Sequence, residues 1–102
     1  MANLTIFVNE PVHAGENHTV GVRVTNCAPG LSVDVTLTQT QGKPPFIAPK
    51  STSSQVGPSG DGFVSFSVVL SGPTSSATLL ASAKDANGAY YSPDARSFEV
   101  EP

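Results

Sequence analysis

Along this chain apolar and polar residues alternate in short bursts, separated by clusters of Gly, Pro, Asn and Ser. Alternation with a period of two places one set of side chains on each face of an extended strand. Leu4, Ile6 and Val8 form the first burst, and Pro11 and Gly15 end it. The sharpest burst spans 19–25, where Val20, Val22 and Val24 alternate with Gly21 and Arg23. The run Asn26-Cys27-Ala28-Pro29-Gly30 then reads as a turn, because Pro presets φ and Gly accepts a positive φ after it. A third strand over 32–39 sets Val33, Val35 and Leu37 against Asp34, Thr36 and Thr38.

The pattern lapses at Gly42-Lys43-Pro44-Pro45-Phe46-Ile47-Ala48-Pro49. Each proline lacks a ladder donor, so this stretch predicts an edge crossover with a short strand at Phe46 and Ile47. A second short edge strand is expected over 51–56, followed by a loop over 57–62. Alternation returns at 63–70 with Val64, Phe66, Val68 and Leu70 on one face. After a loop over 71–76, Leu79, Ala81 and Ala83 define a strand over 77–84. Asp85-Ala86-Asn87-Gly88 predicts a tight hairpin, since Asn-Gly readily takes two positive φ values. The last strand is split. It begins at 89–91, is interrupted by Ser92-Pro93-Asp94, and finishes over 96–101 with Phe98 and Val100 inward.

No window of about eleven residues holds a helical apolar period without a Gly or Pro inside it. Short strands with turn signals every ~8–12 residues predict an all-β fold. At this length the expectation is one domain over 1–102, an immunoglobulin-like antiparallel β-sandwich of about seven strands. Its expected core is Ile6, Val20, Val22, Val24, Val33, Val35, Leu37, Val64, Phe66, Val68, Leu79, Ala81, Ala83, Phe98 and Val100. A one-residue slip in any strand would turn its whole apolar set outward.

Composition narrows the function classes. Among 102 residues there are 22 Ser and Thr and 12 Val against a single Met, a balance that favours strands. Charged residues make up 13%, and the net charge of -3 with five Lys and Arg leaves no footprint for nucleic acid. No apolar run approaches the ~18 residues of a membrane span. The N-terminus carries no basic region followed by an apolar one, and Met1 ahead of a strand reads as the start of a domain excised from a larger protein. Cys27 is single, so no intrachain disulfide supports the fold.

Three segments resemble bacterial immunoglobulin-like repeats. Gly15-Glu16-Asn17-His18-Thr19-Val20-Gly21-Val22-Arg23-Val24 is similar to their second strand, G-x-x-x-T-V-x-V-x-V. Gly62-Phe63-Val64-Ser65-Phe66-Ser67-Val68 resembles the fifth strand, and Leu79 through Gly88 resembles the sixth strand with its hairpin. The resemblance implies an immunoglobulin-like or E-set-like module of a cell-surface or secreted protein, used as spacer, adhesin stalk or accessory domain. The chain departs from antibody and fibronectin domains in having no Trp, and its tyrosines, Tyr90 and Tyr91, follow the Asn-Gly turn.

Candidate chemistry is sparse. A Cys27 nucleophile would need His13 or His18 as base, and nothing beside it in sequence lowers its pKa. His13 and His18 with Glu10 and Glu16 sit on one loop, short of the converging set zinc requires. Asp85, Asn87 and Asp94 offer oxygens of the type calcium takes, but Asp85 and Asn87 also serve as turn formers. No catalytic site, metal or cofactor is expected. The aromatics outside the inward pattern are Phe7, Phe46, Phe63, Tyr90 and Tyr91, and at most one of the adjacent tyrosines can face outward from a strand.

Partner contact is expected at Phe46, Ile47, Tyr90 and Tyr91. Over 42–58, prolines stiffen the backbone and would lower the entropy cost of presenting Phe46 and Ile47. The same prolines, with Lys43 and Lys50, equally suit an edge guard that keeps the domain monomeric. In the first case Phe46 is exposed, and in the second it is buried. The functional expectation is a non-catalytic structural or interaction module, a spacer or adhesive repeat, located outside the cell or in its envelope. The alternative is a carbohydrate-binding accessory domain of a secreted glycoside-active enzyme. The expected partners are neighbouring domains of a parent chain and a protein or polysaccharide, with no nucleic acid, no membrane insertion and a monomeric state.

Overall fold

Alternation of this kind needs a second apolar face to cover it, and the chain supplies one by folding its strands into two layers. In a computed structural model, which describes residues 3–102, the strands are β1 (Asn3–Val8), β2 (Val12–His13), β3 (Asn17–Thr25), β4 (Ser32–Gln41), β5 (Lys50–Gln55), β6 (Gly62–Val69), β7 (Thr74–Asp85) and β8 (Asp94–Glu101). The reading of Met1 as the start of an excised domain lies outside the described residues. One sheet has the order β1-β3-β6 and the other β2-β8-β7-β4-β5. Their pairings are antiparallel except that β2 runs parallel to β8. The fold is an all-β sandwich.

Register builds the core in rows. Val20 lies between Val8 and Phe66, and Val22 between Ile6 and Val64. On the facing sheet Val35 is opposite Ala83 and Leu37 opposite Ala81, so small side chains alternate with large ones. All fifteen residues expected inward are buried. The layer also takes Leu4, Val8, Val12, Cys27, Val56, Leu70 and Ala77.

The strands differ from expectation in three places. β2 brings the count to eight. Val12 is a lone apolar residue in a polar loop, too short to show a period, yet it is buried and pairs with Val100. Between Val8 and Val12 the chain crosses from one sheet to the other. Second, Phe46 and Ile47 form no strand. The series Val33, Val35, Leu37 continues inward to Gln39, whose Oε1 accepts from the Ile47 N–H at 3.0 Å. The Gln39 Nε2 donates to the Gln41 carbonyl at 3.1 Å, so a buried amide replaces the ladder as the anchor of this loop. Third, β7 starts at Thr74 through an irregularity between Thr74 and Ala77, and β8 starts at Asp94.

The strand ends define two poles of a body measuring 42 × 20 × 18 Å. At one pole Asn3 pairs with Thr25, Cys27 N–H donates to Gly60 O at 3.0 Å, and Ala86 N–H donates to Ser32 O at 3.0 Å. At the other, Ala14 N–H donates to Glu101 O at 2.7 Å and Gly15 N–H to Leu70 O at 2.9 Å. β1 therefore starts at one pole and β8 ends at the other.

Phe66 is 5% exposed in the middle of the inner face. Phe66→Ala is expected to lower stability by about 3–5 kcal/mol in chemical denaturation, since burial is lost and a cavity remains. Two glycines separate strain from clash. Gly30 and Gly60 both have φ of 84°. A Cβ on Gly30 meets open space, whereas one on Gly60 would lie 2.8 Å from the Cys27 carbonyl oxygen. Gly30→Ala should cost about 1–2 kcal/mol from backbone conformation alone. Gly60→Ala should cost clearly more in the same melts, and equal losses would mean that the Cys27 contact relaxes freely.

Candidate functional site

The hairpin after β7 decides which tyrosine faces out. Asp85 closes the turn from within: its Oδ1 accepts from Asn87 N–H at 2.9 Å and from Ala89 N–H at 3.0 Å. Its Oδ2 accepts from the Tyr91 hydroxyl at 3.2 Å. Tyr91 N–H also donates to Ala83 O at 3.0 Å, and the ring packs against the core. Tyr90, one residue earlier, points the other way and is 81% exposed. It touches β7 through a single bridge to Lys84, whose Nζ lies 5.9 Å from the ring centroid.

Beneath Tyr90 the outer face of β5, β4 and β7 forms a cleft of about 450 Å³. Register gives its floor two rows. The first runs Ser53, Asp34, Lys84 and on to Tyr90. The second runs Ser51, Thr36 and Ser82. Ser53 Oγ donates to Asp34 Oδ1 at 2.5 Å, and the Thr36 and Ser51 hydroxyls are 2.9 Å apart. The cleft is thus lined by hydroxyls with one carboxylate, one ammonium and one aromatic wall.

Phe46 is 44% exposed and Ile47 is half-buried against the core. Ile47 rather than Phe46 is the residue that plugs the sandwich. Both lie on the loop that follows β4, whose closure includes Ser71 Oγ donating to Lys43 O at 2.7 Å. That loop belongs to the pole of Gly15 and Leu70, while Tyr90 lies toward the opposite pole. The four expected contact residues therefore fall on two separate surfaces, with Tyr91 turned inward.

The outer face of β1, β3 and β6 carries a third feature. Phe7 and Phe63 are 46% and 56% exposed, and their centroids are 6.5 Å apart at 40°. Phe63 lies over Gly21, where a Cβ would come within 2.4 Å of its ring. Arg23 pairs with Asp61 at 3.0 Å beside them. A glycine inside the cleanest strand was the available signal, since such a position marks a close approach. The hydroxyl floor under Tyr90 gave no signal, because outward Ser and Thr read as an ordinary solvated face.

The remaining candidates are spread through the molecule. Asp94 Oδ2 accepts from Ile6 N–H at 3.0 Å and joins the two sheets, a task separate from the hairpin role of Asp85. His18 Nε2 lies 3.1 Å from His13 N and accepts its N–H in the matching tautomer. The histidines stand at the pole opposite Cys27, which is buried with Sγ 3.6 Å from Thr25 O. No protein-family model matches the chain, and a search of curated proteins finds no match.

Burial, then the adjacent Cys27 thiol and the Asp85 carboxylate, push the Tyr91 phenol above its ordinary pKa of 10.0. The fold therefore favours the neutral phenol. Its contribution is complete below about pH 10 and is lost as pH rises through that value toward the folded pKa. Tyr91→Phe should be less stable than the parent by about 0.5–1.5 kcal/mol at neutral pH. The gap should narrow in strongly alkaline melts, and a gap independent of pH would show that Tyr91 does not titrate with unfolding.

Proposed function

We propose that the protein is a non-catalytic structural and interaction module of the immunoglobulin-like kind, serving as a spacer or adhesive repeat of a cell-surface or secreted protein. The observation that carries this reading is the path of the chain. β1 starts at one pole and β8 ends at the other, across a body 42 Å long and about half as wide. Copies or neighbours joined at these ends would extend in line. The three-strand and five-strand layers fit the sandwich architecture of such modules. Two of the four sheet edges suit a unit that stays separate from its neighbours: β5 begins at Lys50 after Pro49, and the β1 edge is occupied at Ile6 by Asp94.

Two copies joined by a short linker test this. Small-angle scattering should give a maximum dimension close to twice the 42 Å of one copy. A dimension near that of one copy, with the two sandwiches lying side by side, would overturn the in-line spacer reading.

A further inference from the structure

We propose that the cleft under Tyr90 is a binding site for a neutral oligosaccharide, a function beyond the spacer reading and independent of it. The cleft floor holds one carboxylate, Asp34, and one ammonium, Lys84, on directly paired positions of β4 and β7. An anionic ligand would meet Asp34 and a cationic one would meet Lys84, so the floor favours a ligand with no net charge. Around this pair stand the hydroxyls of Thr36, Ser51, Ser53 and Ser82. Ser53 donates to Asp34, and Thr36 and Ser51 share one bond. The four oxygens therefore remain open to accept, and Ser82 with one of Thr36 and Ser51 can also donate. Such a floor matches a ligand that is itself densely hydroxylated.

The wall supplies the other half. Tyr90 is 81% exposed and has its Lys84 contact on one side, leaving a ring with no apolar cover from the fold. Pyranose rings carry C–H faces as well as hydroxyl edges, and an aromatic side chain with a polar tip suits both. At about 450 Å³ the cleft falls within the range of small-ligand sites. Its floor belongs to hydrogen-bonded strands, so little ordering is required when a ligand settles on it. The Ser53 to Asp34 bond fixes the carboxylate in place before binding.

The test is a titration of isotope-labelled protein with neutral hexaoses of glucose, xylose, mannose and N-acetylglucosamine, using an oligogalacturonate as the charged control. At least one neutral hexaose should move the amide resonances of 34–36, 51–53, 82–84 and 90 at millimolar or lower concentration. Tyr90→Ala should weaken that binding by about tenfold or more, and Tyr90→Phe should retain it to within about threefold. Asp34→Asn should also weaken it. Because Tyr90 lies outside the core, its variants should keep the melting temperature of the parent, which separates a lost site from a lost fold. The proposal is overturned if no neutral hexaose shifts these resonances, if the shifts map to Phe7 and Phe63 instead, if Tyr90→Ala binds as tightly, or if only the galacturonate binds.

Discussion

Register across β3 is the constraint on which this molecule depends. Val20, Val22 and Val24 are essentially inaccessible and are flanked on both sides by strands whose inner residues must match them in phase. Because the side-chain period is two, the same register that seals the apolar layer also decides every outward position. Gly21 and Arg23 face out because their neighbours face in. Asp34 and Thr36 are displayed on the opposite surface for the same reason. The surfaces of this protein are therefore the complement of its core, and a slip of one residue would dismantle both together.

The two outer faces produced in this way differ in chemistry. On the three-stranded sheet, Phe63 rests on the backbone of Gly21 beside Phe7, giving an apolar patch edged by the Arg23–Asp61 pair. On the five-stranded sheet, hydroxyls and the opposite charges of Asp34 and Lys84, neighbours in register, occupy the floor. Burial explains neither difference, since both faces lie outside the core. Only the residues at the outward positions distinguish them.

Legibility in the sequence follows the same division. The main strands and the fifteen core residues could be read because alternation repeats along a continuous stretch. β2 could not, because two residues contain no period, and Val12 is buried by a parallel pairing with Val100 far away in sequence. The Phe46 loop could not, because it is fixed by the side chain of Gln39 instead of by a ladder. For the site, one tyrosine outward and one inward was the expectation for a strand over 89–91, but the structure forms only an isolated bridge at Tyr90, and it is the Asp85 turn that draws Tyr91 inward. Asp34, Ser53 and Lys84 come from three strands, and their meeting depends on the pairing of β5, β4 and β7. A pattern along one strand carries no record of which residues lie opposite on the next.

Asp85 links the two levels. It is buried, and both of its carboxylate oxygens are engaged by the hairpin and by Tyr91. An acid in that position would be costly without partners, so the turn must close around it for the strand to remain folded. Closing the turn draws Tyr91 inward toward Cys27, and Tyr90, bridged to Lys84, stands outward beside the hydroxyl floor. The exposed ring is thus held by a backbone whose geometry is determined inside the fold. The buried carboxylate sets where the backbone presents Tyr90, while the ring itself stands 81% exposed beside the Lys84 ammonium.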